Sequence, residues 1–347
     1  MNILHKAAQL FILGFQGTSI TTDHHIWKDI EERNLGGVIL FDQLLALKSK
    51  KNNIETAEQL QTLTGKLQGL AKTPLLICID QEGGRVCRLK PKHGFPPQPS
   101  LEELGKKNDL SFTETIARTT SGALQYAGIN TNFAPVVDLN ANPENPVIGS
   151  LGRSFSATPE KITAHALAWI KGARDNNIIS CLKHFPGHGS SSVDSHLNFV
   201  DISNSWDKNE LFPYTKLIGE NVEMIMAGHL FNSKLDEKYP ASLSPFILRE
   251  LLRKKLGFNG VIVSDDLQMG AIINYYGQEE AIQLAIRGGN DLIILGNNLI
   301  HDEQLLPKAM QAVENGLNKG VILPEQIDEA YSRVHKLKLK YLKEKNH

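Results

Sequence analysis

The stretch "LLICIDQEGGR", residues 75–85, shows the pattern from which the fold can be predicted. Five apolar residues are followed directly by an aspartate, a glutamine, a glutamate, two glycines and an arginine. A short apolar run bounded by turn residues is typical of a strand buried on both faces of a parallel sheet. The carboxyl ends of such strands are where parallel α/β folds carry their functional residues. The same pattern elsewhere in the chain therefore predicts both the architecture and the place of the site.

Six other apolar runs have this form, and amphipathic stretches separate them. They are residues 37–41, 132–137, 178–182, 224–227, 261–264 and 292–295, and a less regular run covers 10–15. No Pro/Ser-rich linker and no fixed-period repeat divides the chain. Seven or eight strands in continuous alternation with helices predict an α/β fold with one domain over residues 1–347, a (β/α)8 TIM-type barrel that is least regular in its first strands. A doubly wound open sheet is the alternative.

Helix signals lie between these runs. Thr56 and Gln59 have the spacing of a capping box at the start of a helix. The last helix is predicted over 324–342, with an apolar stripe that packs on the outside of the barrel and lysines that face water. The stripe consists of Ile327, Tyr331, Val334 and Leu337.

Composition and charge exclude several classes of protein. The 347 residues are 41% hydrophobic and 22% charged, as in an ordinary globular protein with a large core. The 37 Lys and Arg nearly balance the 38 Asp and Glu, so we expect no nucleic-acid or membrane partner. The three cysteines lack zinc-ligand spacing and are expected to be reduced core thiols, and no secretory leader or membrane span is recognisable. We therefore expect a cytoplasmic monomer.

Polar residues follow five of the predicted strands, and in a parallel barrel these strand ends meet at one rim. They are Asp80–Arg85, Asp138, Lys183 with His184, His229, and Asp265 with Asp266. Together they indicate an active site. If Val261 and Val263 point to the barrel axis, Asp265 does so too and is the candidate nucleophile or base. Asp266 then faces the other way, as a cap for a short helix beginning near Leu267.

The stretch "KHFPGHGSSSVDSH", residues 183–196, contains a carboxylate and an imidazole two residues apart. In an extended loop the side chains of Asp194 and His196 share one side, with Cα atoms roughly 6.5 Å apart. A hydrogen bond between them would raise the proton affinity of His196 and suit it to general acid/base catalysis. The glycines and serines favour a loop that moves over a bound ligand.

A metal site is the alternative for His184, His188 and His196. The first two are four residues apart, as ligands on a helix often are, but Pro186 between them disfavours a helix. The glycines of this stretch match no phosphate-binding or dinucleotide fingerprint.

Five segments, in order and in approximate spacing, resemble the β-N-acetylglucosaminidases of glycoside hydrolase family 3. They are "DQEGGR" (80–85), "IGSLGRSF" (148–155), "KHFPGHG" (183–189), "DSH" (194–196) and "GVIVSDDLQMGAI" (260–272). The resemblance extends over nearly the whole chain. It implies that Asp265 is the nucleophile, His196 the general acid/base and Asp194 its partner, with no metal or other cofactor. The residues that it implies for contacts with the sugar are Asp80, Arg88, Arg153, Lys183 and His184.

The resemblance further implies a retaining exo-β-N-acetylglucosaminidase that acts through a covalent glycosyl-aspartate. Peptidoglycan fragments from cell-wall recycling are the expected substrates, and chito-oligosaccharides come second. Larger family members, the β-glucosidases, take their acid from a second domain. Because this chain ends after one barrel, the pair Asp194 and His196 is expected to supply the proton, which favours N-acetylglucosaminides. A β-glucosidase, a metal-dependent barrel hydrolase and a sugar-binding protein are the alternatives.

The chain departs from the family pattern in two places. Residues 43–55 form a longer connection than is usual after the second predicted strand, which affects the shape of the rim. Three serines at 190–192 stand where many relatives carry an acidic residue. His188 has no clear catalytic counterpart, and we expect it to hold the loop.

Overall fold

The computed structural model describes residues 2–194 and 199–342. Its strands are β1 (Phe11–Gly14), β2 (Gly37–Leu40), β3 (Leu76–Ile79), β4 (Thr131–Asn132), β5 (Ile179–Phe185), β6 (Val200–Asp201), β7 (Met224–Ala227), β8 (Leu230–Phe231), β9 (Val261–Ser264) and β10 (Ile293–Leu295). Eight of these strands form one parallel sheet in the order β10-β1-β2-β3-β4-β5-β7-β9, and β6 pairs with β8. A parallel bridge between Val263 and Leu292 joins the two ends of the large sheet. The predicted (β/α)8 barrel is confirmed, and the open-sheet alternative is wrong.

Helices surround the barrel. The α-helices are α1 (Ile3–Ala8), α2 (His25–Glu31), α3 (Ala57–Leu70), α4 (Leu101–Lys107), α5 (Leu110–Tyr126), α6 (Pro159–Arg174), α7 (Phe212–Ile218), α8 (Gly270–Gly288), α9 (Leu305–Asn318) and α10 (Pro324–Tyr341). A π-helix covers Phe246–Lys255, and short 3-10 helices cover Pro91–His93, Gly149–Leu151, Lys208–Leu211 and Ala241–Leu243. At the start of α3 the Thr56 side chain accepts a hydrogen bond from the Gln59 backbone, as expected, but the Gln59 side chain reaches Glu55 instead of Thr56.

Every predicted apolar run overlaps a strand, and the smallest overlap is at residues 132–137, which share only Asn132 with β4. The observed strand β4 ends at Asn132. Pro135 has no N–H group to donate to a ladder, so regular pairing cannot continue through it. Strand β5 runs to Phe185, beyond its predicted end at 182. Lys183 and His184 therefore lie within the strand, whereas the sequence placed them after it.

Neighbouring positions of the central strands alternate between two hydrophobic clusters, as expected for strands buried on both faces. Met224, Met226, Val261 and Val263 belong to one cluster. The intervening residues Ile225, Ala227 and Ile262 belong to the other. The alternation assumed for β9 is thus present, and it continues toward Asp265.

The carboxy-terminal helix α10 packs where the sequence predicted, with Ile327, Val334 and Leu337 buried and Tyr331 partly buried. The expectation that its lysines face water is wrong for Lys338, which is 1% exposed. Its Nζ donates to Gln9 Oε1 and to the Gly36 carbonyl oxygen, each at 2.7 Å. Position 338 lies four residues after Val334, on the buried face of the helix, so the periodicity brings the lysine inward.

The three cysteines are buried and form no disulfide, in agreement with the sequence analysis. Burial raises the pKa of the Cys78 and Cys181 thiols. Among the described residues, no helix combines the length and apolar character needed to cross a membrane.

Candidate active site

Two cavities lie at the carboxyl ends of the barrel strands and share four lining residues: Asp80, Arg88, Met226 and Asp265. The larger, of about 720 Å³, is walled mainly by charged and polar side chains and is called the polar cavity here. The smaller, of about 580 Å³, is walled mainly by apolar side chains and is called the apolar cavity.

A buried ion cluster forms one wall of the polar cavity. Glu82, 1% exposed, accepts two hydrogen bonds from Arg153, at 2.7 and 2.8 Å. Lys183 Nζ lies 2.6 Å from Glu82 Oε1 and 2.8 Å from Asp80 Oδ1. The cluster thus joins the ends of β3 and β5 to the loop after the short helix at 149–151. Two cations and two carboxylates are held together before any ligand arrives.

The charges of this cluster stabilise one another. Burial alone would raise the pKa of Glu82, but the charges of Arg153 and Lys183 outweigh it and the pKa is lowered. Burial alone would lower the pKa of Lys183, but Asp80 and Glu82 raise it above its ordinary value. Both side chains are therefore ionised at neutral pH. Sequence reasoning placed Glu82 on the rim but gave it no role; its position two residues after Asp80, on the same side of an extended segment, was the available signal.

Asp138 orients His184. Its buried carboxylate lies 2.7 Å from His184 Nδ1 and also accepts the backbone N–H groups of His184 and His188. A carboxylate partner places the ring proton on Nδ1, so Nε2, which is 3.4 Å from Arg153 Nη2, is left as the atom that faces the cluster. Burial tends to raise the pKa of Asp138, but His184 and these hydrogen bonds lower it. Lys183 and His184 are consecutive, a cis peptide bond joins them, and both line the polar cavity.

Hydrogen bonds of two buried side chains, His188 and Glu210, hold the turn at 187–191 in place. His188 is 3% exposed, and its Nδ1 lies 2.8 Å from Ser191 Oγ; burial and the nearby His184 lower its pKa to about 4. Glu210 accepts hydrogen bonds from the Gly189 backbone at 3.0 Å and from Ser190 Oγ at 2.6 Å. Burial raises the pKa of Glu210 to about 7. These contacts agree with the loop-holding role expected for His188, and they add Glu210, which the sequence analysis missed.

Asp265 lies at the junction of the two cavities, directly after β9. Its backbone N–H donates to the Ala227 carbonyl oxygen at 3.0 Å, and its Oδ1 accepts the Asp266 N–H at 2.8 Å. One carboxylate oxygen is thereby fixed in direction while the side chain remains partly exposed to the cavities. This position agrees with the inward orientation predicted from the strand alternation.

The expectation for Asp266 needs a correction. Residues 267–268 form a turn, and helix α8 begins only at Gly270, so no short helix starts near Leu267. Asp266 Oδ1 accepts the backbone N–H groups of Gln268 and Gly296 instead, at 3.0 and 2.9 Å. The side chain thus joins the β9 and β10 ends, and it also lines the apolar cavity.

Arg88 lies between the two cavities, over the Phe41 ring at 5.7 Å from its centroid. Its guanidinium is 3.9 Å from one oxygen each of Asp80 and Asp42. All five residues expected to contact a sugar therefore line the polar cavity.

Asp194 also lines the polar cavity, together with Asp265. His196, the other half of the predicted acid/base pair, lies outside the described residues, so its role stays a prediction. Among the residues that the structure describes, no group of three or more His, Cys, Asp or Glu side chains is arranged to hold a metal ion.

Residues 3–337 match the model of the "Glycosyl hydrolase family 3 N terminal domain". The "Beta-hexosaminidase" of Neisseria gonorrhoeae is 35% identical over 304 residues, which cover 82% of this chain and 80% of that protein. The "Beta-hexosaminidase A" of Pseudoalteromonas piscicida is 32% identical over 335 residues, which cover 90% of this chain but 54% of that protein.

Among solved structures, a glycoside hydrolase family 3 beta-N-acetylglucosaminidase from a Paenibacillus species superposes with a TM-score of 0.89 at 33% identity. The match covers 98% of this chain and 63% of that one. The chain thus spans about half of the Pseudoalteromonas protein and less than two thirds of the Paenibacillus chain.

Proposed function

The chain belongs to glycosyl hydrolase family 3, and from this premise we propose that it is an exo-β-N-acetylhexosaminidase that removes a terminal β-linked N-acetylglucosamine. The observation that carries the proposal is the polar cavity, in which Asp265 faces a preformed cluster of cations and carboxylates. A sugar presents hydroxyl groups that need both donors and acceptors, and this wall supplies both. The names of the relatives support the same chemistry.

The charged wall is suited to bind the sugar ring and to orient it. Lys183, Arg153 and Arg88 offer N–H donors, and Asp80 offers carboxylate oxygens, of which one is already bonded to Lys183. His184 is fixed by Asp138 so that its Nε2 side faces the cluster. Because these groups are positioned by one another before the substrate binds, little reorganisation is needed when charge develops during the reaction.

In the proposed mechanism, Asp265 attacks the anomeric carbon and forms a covalent glycosyl-aspartate while the leaving oxygen receives a proton. The same acid/base group then removes a proton from the water that releases the sugar, so the configuration is retained. We assign the proton transfer to His196, oriented by Asp194. The support for this assignment is that Asp194 and Asp265 line the same cavity. An imidazole suits the role because its ordinary pKa, about 6.5, needs only modest tuning.

We further propose that the natural substrates are peptidoglycan fragments released during cell-wall recycling, with chito-oligosaccharides as the second class. A monomer in the cytoplasm is the corresponding expectation. The nearly balanced charge of the chain is consistent with a small carbohydrate partner.

The test is to incubate the protein with a fluorinated N-acetylglucosaminide, which slows release of the sugar, and to map the adduct by mass spectrometry. We expect one covalent sugar, on Asp265. An adduct on Asp266 or Glu82 would refute the assignment of the nucleophile. Aryl β-N-acetylglucosaminide should be hydrolysed faster than aryl β-glucoside, with chelator present throughout; the reverse preference, or loss of activity with chelator, would contradict the proposed activity.

A further inference from the structure

The long connection after β2 contains a built hairpin at the rim of the site. Leu44 and Ser49 pair in an antiparallel bridge, with hydrogen bonds of 3.0 and 2.9 Å in the two directions. Lys48 has a positive φ of 53°, as turn residues of hairpins often do. We call residues 44–49 the rim hairpin.

Contacts with distant parts of the chain fix the position of the rim hairpin. The backbone N–H of Leu45 donates to Asn298 Oδ1 at 3.1 Å, and that of Ala46 donates to the Asn298 carbonyl oxygen at 2.8 Å. Four residues after the rim hairpin, the fully buried side chain of Asn53 donates to the carbonyl oxygens of Phe15 and Gly17. It also accepts a hydrogen bond from the Phe41 backbone. The hairpin is therefore held against the ends of β1, β2 and β10.

The rim hairpin supplies part of the wall of the apolar cavity. Leu45 lines this cavity beside Asn298 and Leu299, yet 53% of its surface is exposed. Leu47, on the same hairpin, is 53% exposed, and Ile300, next to Leu299, is 42% exposed. Apolar side chains thus line the cavity from Asp265 to the exposed Leu45 at its rim.

We propose that the rim hairpin and the apolar cavity bind an apolar leaving group, an alkyl or aryl aglycone or the aliphatic part of a peptide. This inference rests on the proposed function. The two cavities meet at Asp265, where the glycosidic bond would be cleaved. The sugar hydroxyls need the partners of the polar cavity, and the buried side chains found only in the apolar cavity, such as Phe133, Met269 and Ile294, offer none. The part of the substrate beyond the glycosidic oxygen therefore takes the apolar side, where burial of its surface is favourable.

The test compares hexyl and methyl β-N-acetylglucosaminides, whose leaving alcohols have similar acidity and differ mainly in apolar length. We expect the wild-type protein to have a kcat/KM for the hexyl glycoside about tenfold above that for the methyl glycoside, and Leu45→Asn to lower this ratio about fivefold. Leu45→Ala should lower it less. The control Leu339→Asn changes a leucine of α10 that is 50% exposed and should leave the ratio unchanged.

The failures of the two proposals are distinguishable. If the wild-type protein hydrolyses neither glycoside, the proposed function fails. If it hydrolyses both with equal kcat/KM, or if Leu45→Asn leaves the ratio unchanged, the leaving-group site is overturned. It is also overturned if Leu45→Asn changes instead the discrimination between N-acetyl and N-butanoyl sugars, since the apolar cavity would then hold the acyl group of the sugar.

Discussion

Two lysines lie buried at opposite ends of the same barrel. Lys183, at the carboxyl end of β5, is 2% exposed, and Lys338 of α10, at the amino ends of β1 and β2, is 1% exposed. Lys183 contacts the carboxylates of Asp80 and Glu82. Lys338 donates hydrogen bonds to two uncharged oxygens, those of Gln9 and Gly36.

The protonation of the two lysines differs accordingly. Burial favours the neutral form of both, but the carboxylates raise the pKa of Lys183, whereas burial lowers the pKa of Lys338 to about 7. Equal burial thus gives a fixed charge at one end and a titrating amine at the other. The buried lysine at the carboxyl end lines the candidate site, and the one at the amino end holds α10 against the starts of β1 and β2.

The largest expected effect concerns activity and should occur at only one end of the barrel. Lys183→Met should lower kcat/KM for an aryl β-N-acetylglucosaminide about 10²- to 10³-fold, because it removes a positioned cation from the proposed sugar site. Lys338→Met, the matched change at the other end, should leave kcat/KM within about twofold. The measurement is steady-state kinetics on both variants, each first checked for thermal unfolding. Equal losses of kcat/KM in the two variants would mean that Lys183 acts only through stability.

A second effect concerns stability above neutral pH. Between about pH 7 and pH 9.5 the unfolded chain keeps Lys338 protonated while the folded protein releases the proton. This residue should therefore raise the free energy of unfolding by about 3 kcal/mol over that interval. Lys338→Met should remove this rise when denaturant unfolding is followed at several pH values.

The control is Lys336→Met, which changes an exposed lysine of α10. Its free energy of unfolding should rise with pH as in the wild-type protein. If the free energy of unfolding of Lys338→Met also rose with pH as in the wild-type protein, Lys338 would be charged in the folded protein.

The smallest expected effect concerns two buried carboxyl groups, Glu82 and Glu210, whose surroundings differ in the same way as those of the two lysines. The neighbours of Glu82 are cations, and its pKa is lowered, whereas Glu210 bonds to Gly189 and Ser190 and burial raises its pKa to about 7. Between about pH 5 and pH 7 the folded protein keeps Glu210 protonated while the unfolded chain does not. The free energy of unfolding should therefore fall by about 2 kcal/mol as pH rises through that interval.

Glu210→Gln should abolish this fall in the same unfolding experiment, and it should leave the slope above pH 7 unchanged. Since Lys338→Met acts only above pH 7, each variant serves as the control for the other. If the free energy of unfolding of Glu210→Gln still fell between pH 5 and pH 7, Glu210 would be ionised in the folded protein at pH 5.

Much of the fold could be predicted because burial leaves a local record in the sequence. The run at 75–79 contains β3 and its counterparts overlap the other strands of the barrel, since a strand covered on both faces is usually apolar. The pattern failed where backbone chemistry intervened, at Pro135, which ends the pairing of β4 early. It also failed at Lys183 and His184, whose polar side chains predict the start of a loop although both residues lie within β5.

The residues of the candidate site could be predicted from the sequence better than the contacts among them. Asp80, Lys183, His184 and Asp265 follow or end apolar runs, and that signal placed them on one rim. Glu210 carries no such signal, because it lies in a short 3-10 helix and reaches the turn at 187–190 only in the folded chain.

The linear sequence was enough to predict the alternation of strands and helices, the rim at the carboxyl ends and the acid that faces the barrel axis. These properties depend on local periodicity, which a linear pattern records. The tertiary structure decided which charges meet, as in the pairing of Glu82 with Arg153, 71 residues away, and in the hairpin held by Asn298, 253 residues from Leu45. It also decided that one buried lysine is charged and the other titrates, because a pKa depends on the groups that surround a side chain in space, and their positions along the chain do not reveal them.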